Sequence, residues 1–425
     1  MVSNPDDDVA VTHYLATIHD LDQGRIVVSP RVPGSPRSSL AAARHRLGAD
    51  MLAALGKEPL TGSIAKAPAL ALALAWMRGE RVGDLVVDRA HALPEELLRE
   101  LAALTQDAHI RLWLVWIGAP PPRLRLSAGK PVKITAKQLR DALPVIPAPA
   151  QQPRPPAWPA LPITDFPVFM EVCRARIADA DFARVAEVFD LARAAAARFA
   201  ADYGIGVRIG TPQLNLLRTE AWLRDEMLTA DHHPAQLLVT LRAAQVGLFH
   251  HNLLLRWRPN RLPHPAEAHL GTQLTDAVIR RLRRLCAPAE AAALALRLHL
   301  AADLNALQIR HLSPDGATVT QMAPEYDRVA VVEHRFPRTA QGILSAHLAH
   351  RLESGAGEDA PLFPRVPPHP DHETLRIRFG LPMLDTIPAA TADPTATTPW
   401  LAQRGLSLHR LEPYRLTDKY RNSDQ

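Results

Sequence analysis

Residues 25–40 read Arg-Ile-Val-Val-Ser-Pro-Arg-Val-Pro-Gly-Ser-Pro-Arg-Ser-Ser-Leu, so that a short apolar run leads into a loop rich in Pro, Ser and Gly. Further along, apolar runs at 85–88 and 110–117 flank an amphipathic segment at 94–105. Short apolar runs that alternate with amphipathic segments are typical of the strands and helices of an α/β domain. The sequence therefore predicts a parallel sheet covered by helices over residues 20–140.

The loop after the first apolar run can be aligned with the phosphate-binding pattern G-x-x-x-x-G-K-[ST], whose backbone N–H groups face phosphates between a strand and a helix. Ser38 keeps the hydroxyl position and Gly34 lies inside the loop, but Arg37 replaces the lysine. Arg31 and Pro36 stand at the two glycine positions. Pro36 removes a donor N–H, and Arg37 offers a bulky planar cation where a compact ammonium should reach the phosphates. The loop therefore predicts a degenerate nucleotide site.

A second motif, residues 83–94, reads Gly-Asp-Leu-Val-Val-Asp-Arg-Ala-His-Ala-Leu-Pro. Asp88 ends the apolar run of this motif, where a carboxylate that organises Mg²⁺ would stand. In this order, the two motifs resemble the Walker A and Walker B motifs of AAA+ P-loop ATPases. Over residues 20–125 the chain is most similar to transposition helpers of the TniB type. The resemblance implies a P-loop fold with ATP and Mg²⁺ as its ligands.

The same resemblance implies a nucleotide site made of Gly34, Arg37, Ser38 and Asp88. Arg89, however, occupies the position of the acidic residue that polarises the attacking water, so no general base stands there. We therefore expect no ATP hydrolysis, and nucleotide binding without turnover stays open. In the alternative interpretation, Ser38 is an ordinary helix N-cap and Asp88 caps the turn after a strand.

The remainder of the chain is divided by prolines and by helical spacing. Prolines crowd into residues 141–163, which are predicted to form a linker because they cannot hold a helix or a central strand. Apolar residues then recur at helical spacing, which predicts a mainly α-helical C-terminal region with a small β-hairpin at 318–322 and 329–332. The predicted parts are a helical domain, 164–260; a helical domain with the hairpin, 266–384; and an irregular C-terminal segment, 385–425.

From residue 295 the chain reads Ala-Leu-Arg-Leu-His-Leu-Ala-Ala-Asp-Leu-Asn-Ala-Leu-Gln-Ile-Arg-His-Leu. This stretch resembles the first catalytic box of tyrosine recombinases, the phage-integrase family, in which arginines clamp the scissile phosphate and a tyrosine attacks the phosphorus. Leu300 stands at the first arginine position, and Tyr414 near the C-terminus is the candidate nucleophile. The resemblance implies a DNA-binding scaffold without strand-cleavage chemistry. In the alternative interpretation, Tyr414 is a packing or surface residue.

Residues 276–285 read Asp-Ala-Val-Ile-Arg-Arg-Leu-Arg-Arg-Leu, which predicts a helix with four arginines beside an apolar stripe. Arg280, Arg281, Arg283 and Arg284 would neutralise DNA phosphates and make binding fall steeply with salt. In the alternative interpretation, the four arginines form a solvated face that is paired with nearby acidic residues. Both interpretations stay open from the sequence alone.

The composition narrows the choice of partner and compartment. The 49 Lys and Arg residues exceed the 44 Asp and Glu residues, and a net charge of +5 favours an anionic partner such as DNA. Two cysteines are too few for a structural zinc site, so we expect neither a metal site nor a disulfide. No apolar run reaches the roughly 18–20 residues that span a bilayer, and the first residues are acidic, so we expect a cytoplasmic protein without a membrane partner.

These patterns together favour a non-catalytic DNA-associated factor, accessory to recombination, transposition or the maintenance of a mobile element. Such a factor would work beside protein partners of a recombination complex. Two alternatives stay open. One is an enzyme, either an ATP-hydrolysing protein or a recombinase with atypical motifs, and the other is an adaptor that binds proteins through its helices.

Overall fold

The computed structural model describes most of the chain. The described residues are 1–4, 8–31, 39–58, 68–118, 126, 132–145, 157–203, 211–229, 232–258, 270, 274–300, 304–325, 328–364 and 396–411. In this part of the chain, no helix is long and apolar enough to cross a bilayer.

The described residues near the N-terminus form a parallel sheet of four strands. These are β1, Val2–Ser3; β2, Arg25–Val28; β3, Asp84–Val87; and β4, Arg111–Trp116. Their order across the sheet is β1-β4-β3-β2. The register places Val28 of β2 beside Val87 of β3, so the carboxyl ends of these two strands meet at one edge. The predicted parallel sheet is confirmed.

Helices cover both faces of the sheet because successive residues of each strand point to opposite sides. One face carries α1, Val9–Ile18, and α5, Ala136–Ala142, whose apolar residues meet Val86 and Val115. The other face carries α2, α3 and α4, whose core includes the strand residues Val28, Val87 and Leu114. Their bounds are Leu40–Ala54, Ala69–Gly79 and Glu95–Asp107.

The sheet contains a point at which the connections change face. The helix after β3 is α4 on one face, and the helix after β4 is α5 on the other face. In open α/β sheets, ligands bind in the crevice at the carboxyl ends of the two strands beside such a point. This rule places the expected ligand crevice between the carboxyl ends of β3 and β4.

The rest of the described chain is mainly helical, as predicted. Its helices are α6, Phe169–Arg176; α7, Asp179–Asp202; α8, Pro212–Trp222; α9, Pro234–Phe249; α10, Asp276–Leu282; α11, Pro288–Leu300; α12, Arg338–Glu353; and α13, Pro399–Gln403. Its strands are β5, Leu253–Trp257; β6, Thr318–Glu325; β7, Arg328–Arg335; and β8, Leu406–Arg410.

Two antiparallel pairs complete the fold. Strands β6 and β7 form the predicted hairpin, which is longer than expected at both strands. Strand β8 pairs with β5. The prediction that residues 385–425 are irregular does not hold for α13 and β8, because Trp400 and Leu401 are buried and the β5 strand supplies a hydrogen-bonding partner.

The hydrophobic cores join parts that are distant in sequence. One core extends from the sheet helices through α10, α11 and α12, so described residues of the predicted domain 266–384 share a core with those of the predicted domain 20–140. Helix α3 is buried on nearly all sides, and it packs against α12 where Gly79 meets Gly342. A Cβ on Gly79 would overlap the carbonyl oxygen of Gly342. A second core joins α6–α9 and β5 to α13 and β8.

Candidate functional site

Asp88 lies at the carboxyl edge of the sheet, directly after β3. Its backbone N–H donates to the Val28 carbonyl over 2.8 Å, which holds the ends of β2 and β3 together. Its carboxylate accepts hydrogen bonds from the Ser29 hydroxyl at 3.3 Å and from the Arg89 N–H at 2.9 Å. Asp88 is buried. Of its two donors, Ser29 stands at the start of the loop that follows β2, and Arg89 is the next residue along the chain.

Arg89 follows Asp88 in the left-handed backbone conformation, with φ at 51°. Its Nε lies 4.0 Å from the Asp88 carboxylate, and nearly half of its side chain is exposed. A guanidinium therefore stands beside Asp88 at the carboxyl edge of the sheet. His91, two residues further on, packs edge-on against Trp116. A guanidinium has hydrogen-bond donors and no acceptor, so the Arg89 side chain does not serve as a general base.

Three of the predicted nucleotide-site residues, Gly34, Arg37 and Ser38, lie outside the described residues. Both ends of their loop are described. Arg31 is held to α2, because its backbone N–H and its Nε donate to the Asp50 carboxylate at 3.0 and 2.6 Å. At the other end, the Ser39 hydroxyl accepts the Ala42 N–H and is the N-cap of α2. The alternative interpretation that gave the N-cap to Ser38 is therefore wrong by one residue.

The arginines of α10 and of the turn after it fall into two groups. Arg283 is half-buried and pairs with Glu80, to which its Nε donates over 3.0 Å. Arg284 pairs with Glu58 at 2.6 Å. Arg280 and Arg281 are exposed on the outer side of α10. The interpretation of a face paired with acids thus fits Arg283 and Arg284.

Glu80 is shared by two cations. Lys57 is buried, donates to Glu80 at 2.9 Å and to the Arg283 carbonyl at 2.7 Å, and lies 3.4 Å above the centre of the Trp76 ring. Burial lowers the pKa of Lys57 to about 8, although Glu80 opposes this effect. Burial also works to raise the pKa of Glu80, but Lys57 and Arg283 outweigh it and lower that pKa. This cluster fixes α10 against the sheet domain.

A larger buried network surrounds Arg224, which the sequence analysis did not single out. Arg224 lies in a π-helical turn, Leu223–Met227, that directly follows α8. Its guanidinium donates to Glu220 at 2.9 Å, to Asp225 at 2.8 Å and to Nδ1 of His334 at 2.6 Å. Burial raises the pKa of both carboxyl groups in spite of the arginine. The i, i+4 spacing of Glu220 and Arg224 was the available signal.

Two histidines in this network are neutral. Burial, followed by the nearby Arg224, lowers the pKa of His334 to about 3. The same two causes lower the pKa of His299 well below its ordinary value. Nε2 of His299 donates to the Arg335 carbonyl at 2.7 Å. Because the His299 ring is neutral, the 3.7 Å distance from Nε2 to the Asp225 carboxylate is not an ion pair.

A surface groove of about 580 Å³ opens beside this network. We call it the α7–β7 groove, because α7, α8, the π-helical turn and β7 form its walls. Its polar and aromatic lining includes the following side chains: Arg198, Tyr203, Arg218, Glu226, Glu333 and Arg335. Asp225 and Arg335 also line a neighbouring cavity of about 370 Å³.

The candidate nucleophile Tyr414 lies outside the described residues. Leu300, at the first arginine position of the recombinase resemblance, is buried, and the His299 ring beside it packs against Phe336. Within the described ranges, no group of three or more His, Cys, Asp or Glu side chains could hold a metal ion. The chain matches no protein-family model, no curated protein and no solved structure.

Proposed function

We propose that this chain is a non-catalytic DNA-associated factor that contacts the phosphate backbone through α10. The observation that carries the proposal is the exposure of Arg280 and Arg281 on one short, fixed segment. The ion pairs of Arg283 with Glu80 and of Arg284 with Glu58 hold the end of this segment in place. Cations on a rigid element can contact phosphates without the entropy loss of ordering a loop.

The absence of catalysis is supported by the surroundings of Asp88. Both carboxylate oxygens already accept hydrogen bonds from the protein, and the guanidinium of Arg89 stands where a base would have to act. A role accessory to recombination, transposition or the maintenance of a mobile element follows from the resemblances and is part of the same proposal.

The test is fluorescence anisotropy of a labelled mixed-sequence duplex over a salt series. Replacing Arg280 and Arg281 by Gln should weaken binding and reduce the slope of log K against log salt by about 2, or roughly 0.9 for each lost phosphate contact. The matched control replaces Arg174 and Arg193, two exposed arginines on α6 and α7, and should leave the slope unchanged.

Arg283 and Arg284 are left intact in this design, because loss of Arg283 would remove a partner of the buried Glu80 and loss of Arg284 would remove a partner of Glu58. If wild-type protein does not bind the duplex even at low salt, the proposal fails and the adaptor alternative becomes the better one. If the two double variants lose affinity equally, α10 is not the contact surface.

A second candidate function is nucleotide binding without turnover in the crevice at the sheet edge. It is favoured by the position of Asp88, which meets the end of β2 at the start of the loop. Binding of a fluorescent ATP analogue with Mg²⁺ should be lost on Asp88→Asn and retained on Asp107→Asn, an exposed control at the end of α4. Release of phosphate by the wild-type protein would contradict the proposal that turnover is absent.

A further inference from the structure

The α7–β7 groove contains an aromatic platform that no part of the proposed function uses. Trp222 and Phe199 stack at 4.5 Å with nearly parallel planes, and Tyr203 packs against Phe199 with ring centres 5.1 Å apart. Trp222 and Phe199 are buried, but Tyr203 is 47% exposed. The Tyr203 ring is tilted by 51° to Phe199, so a half-exposed ring at the end of α7 lies beside a buried, stacked aromatic pair and lines the groove.

Two arginines flank this ring without an acidic partner. The Arg218 guanidinium lies over the Tyr203 ring, 5.3 Å from its centre, and Arg198 lines the same wall five residues before Tyr203. Among the described residues, neither arginine forms an ion pair. Both are therefore available to an anionic group that enters the groove.

Four acidic residues line the groove, and these are Asp202, Asp225, Glu226 and Glu333. Asp225 is fully engaged, because it accepts from Arg224 at 2.8 Å and from the Arg335 backbone N–H at 2.8 Å. Glu226 and Glu333 are exposed and face the groove from the π-helical turn and from β7. Their carboxylates can accept hydrogen bonds but cannot donate them.

A nucleotide unit has the matching combination of groups. Its base offers a flat ring for Tyr203, its ring N–H or exocyclic amino groups offer donors for the carboxylates, and its phosphate offers an anion for the arginines. A simple polyanion would gain nothing from the aromatic ring and would be repelled by Glu226 and Glu333. The groove therefore favours a nucleotide with an unstacked base over duplex backbone.

We infer that the α7–β7 groove binds a nucleotide unit of single-stranded nucleic acid, or a free nucleotide of the same chemistry, by stacking its base on Tyr203. The inference rests on the proposed function only in assigning the protein to nucleic acid, since the groove and α10 share no residue. The groove would add a second contact with nucleic acid, one that binds an unpaired strand.

The experiment measures binding of a fluorescein-labelled oligothymidylate at low salt, with thymidine monophosphate as competitor. Base stacking on one aromatic side chain contributes about 1–3 kcal/mol, so Tyr203→Ala should weaken binding about five-fold to about a hundred-fold. Tyr203→Phe keeps the ring and should bind within about two-fold of wild type. Arg218→Gln should weaken binding and flatten its salt dependence.

Phe249→Ala is the matched control, because Phe249 is another half-exposed ring, at 45%, on α9. It should leave binding unchanged, and circular dichroism should show that all variants are folded. Displacement by the monophosphate would assign the groove to free nucleotides, and its failure would assign it to a strand. Equal binding by wild type and Tyr203→Ala, or no binding of either probe, would overturn the inference.

The two proposals fail separately. If the duplex binds through Arg280 and Arg281 but binding of oligothymidylate does not depend on Tyr203, only the inference for the groove is wrong. If binding of oligothymidylate depends on Tyr203 but the duplex does not bind, the inference for the groove holds and the proposed function of α10 is wrong.

Discussion

Replacing Arg224 by Met should destabilise the second core strongly. The Arg224 side chain is fully buried, and its removal leaves the carboxylates of Glu220 and Asp225 without their main cation in a dry environment. Removing one partner of a buried ion pair costs about 3–5 kcal/mol. For a cooperative unit of this size, such a loss lowers Tm by on the order of 10 °C.

Thermal unfolding followed by tryptophan fluorescence is the suitable assay, because Trp222 precedes Arg224 and the Trp400 ring lies 6.0 Å from its guanidinium. The chain has two large cores and need not unfold in one step, so the transition that these tryptophans report should be analysed by itself. The control Arg193→Met breaks an exposed pair with Asp190 and should cost at most about 1 kcal/mol.

Charge removal provides the discriminating comparison. Adding Glu220→Gln and Asp225→Asn to the Arg224→Met variant removes the uncompensated anions and should recover part of the lost stability. If Arg224→Met costs no more than the Arg193→Met control, or if the triple variant is less stable than the single one, the network does not act through its charges.

Three further perturbations test the remaining packing and charge arguments. Gly79→Ala should lower the free energy of unfolding by several kcal/mol, because the added Cβ overlaps the α12 backbone. Gly357→Ala should be nearly neutral, because the space around Gly357 is open. Urea unfolding of the two variants measures the difference. His347 has its pKa lowered by burial to about 4, so it binds a proton only in the unfolded chain. The free energy of unfolding should therefore fall by roughly 1 kcal/mol per pH unit as the pH drops from about 6.5 toward 4. In the His347→Gln variant, the free energy of unfolding should fall less steeply over the same range. Glu80→Gln should raise the fraction of neutral Lys57 near pH 8, which the rate of amine modification by a small acylating reagent would report.

The N-terminal sheet could be predicted because its signals are local. Strands β2, β3 and β4 are short apolar runs. Helices α2 and α4 begin near residues that favour helix starts, so the spacing of their apolar residues and their start signals predict the same helices. Strand β1 and helix α1 lie before residue 20 and outside the predicted domain. The pairing of β5 with β8 could not be foreseen, since it joins Leu253–Trp257 to Leu406–Arg410 across most of the C-terminal half.

The candidate sites show the same limit. Asp88 could be placed at the sheet edge from its position after an apolar run. The partners of Arg283 and Arg284 could not, because Glu80 and Glu58 lie 203 and 226 residues away along the chain. Sequence reasoning could count the charges of α10, but which acidic residues pair with Arg283 and Arg284 depends on contacts made through the folded core.

The contact between Lys57 and the Arg283 carbonyl spans 226 residues and has a consequence for how the protein is made. At a synthesis rate of about 5–20 residues per second, a ribosome needs on the order of 10 s or more to travel from one partner to the other. During that interval α3, which is apolar on nearly every side, has emerged while α12 does not yet exist. We therefore expect the apolar surface of α3 that α12 covers in the folded protein to stay exposed on the nascent chain until α12 has been synthesised.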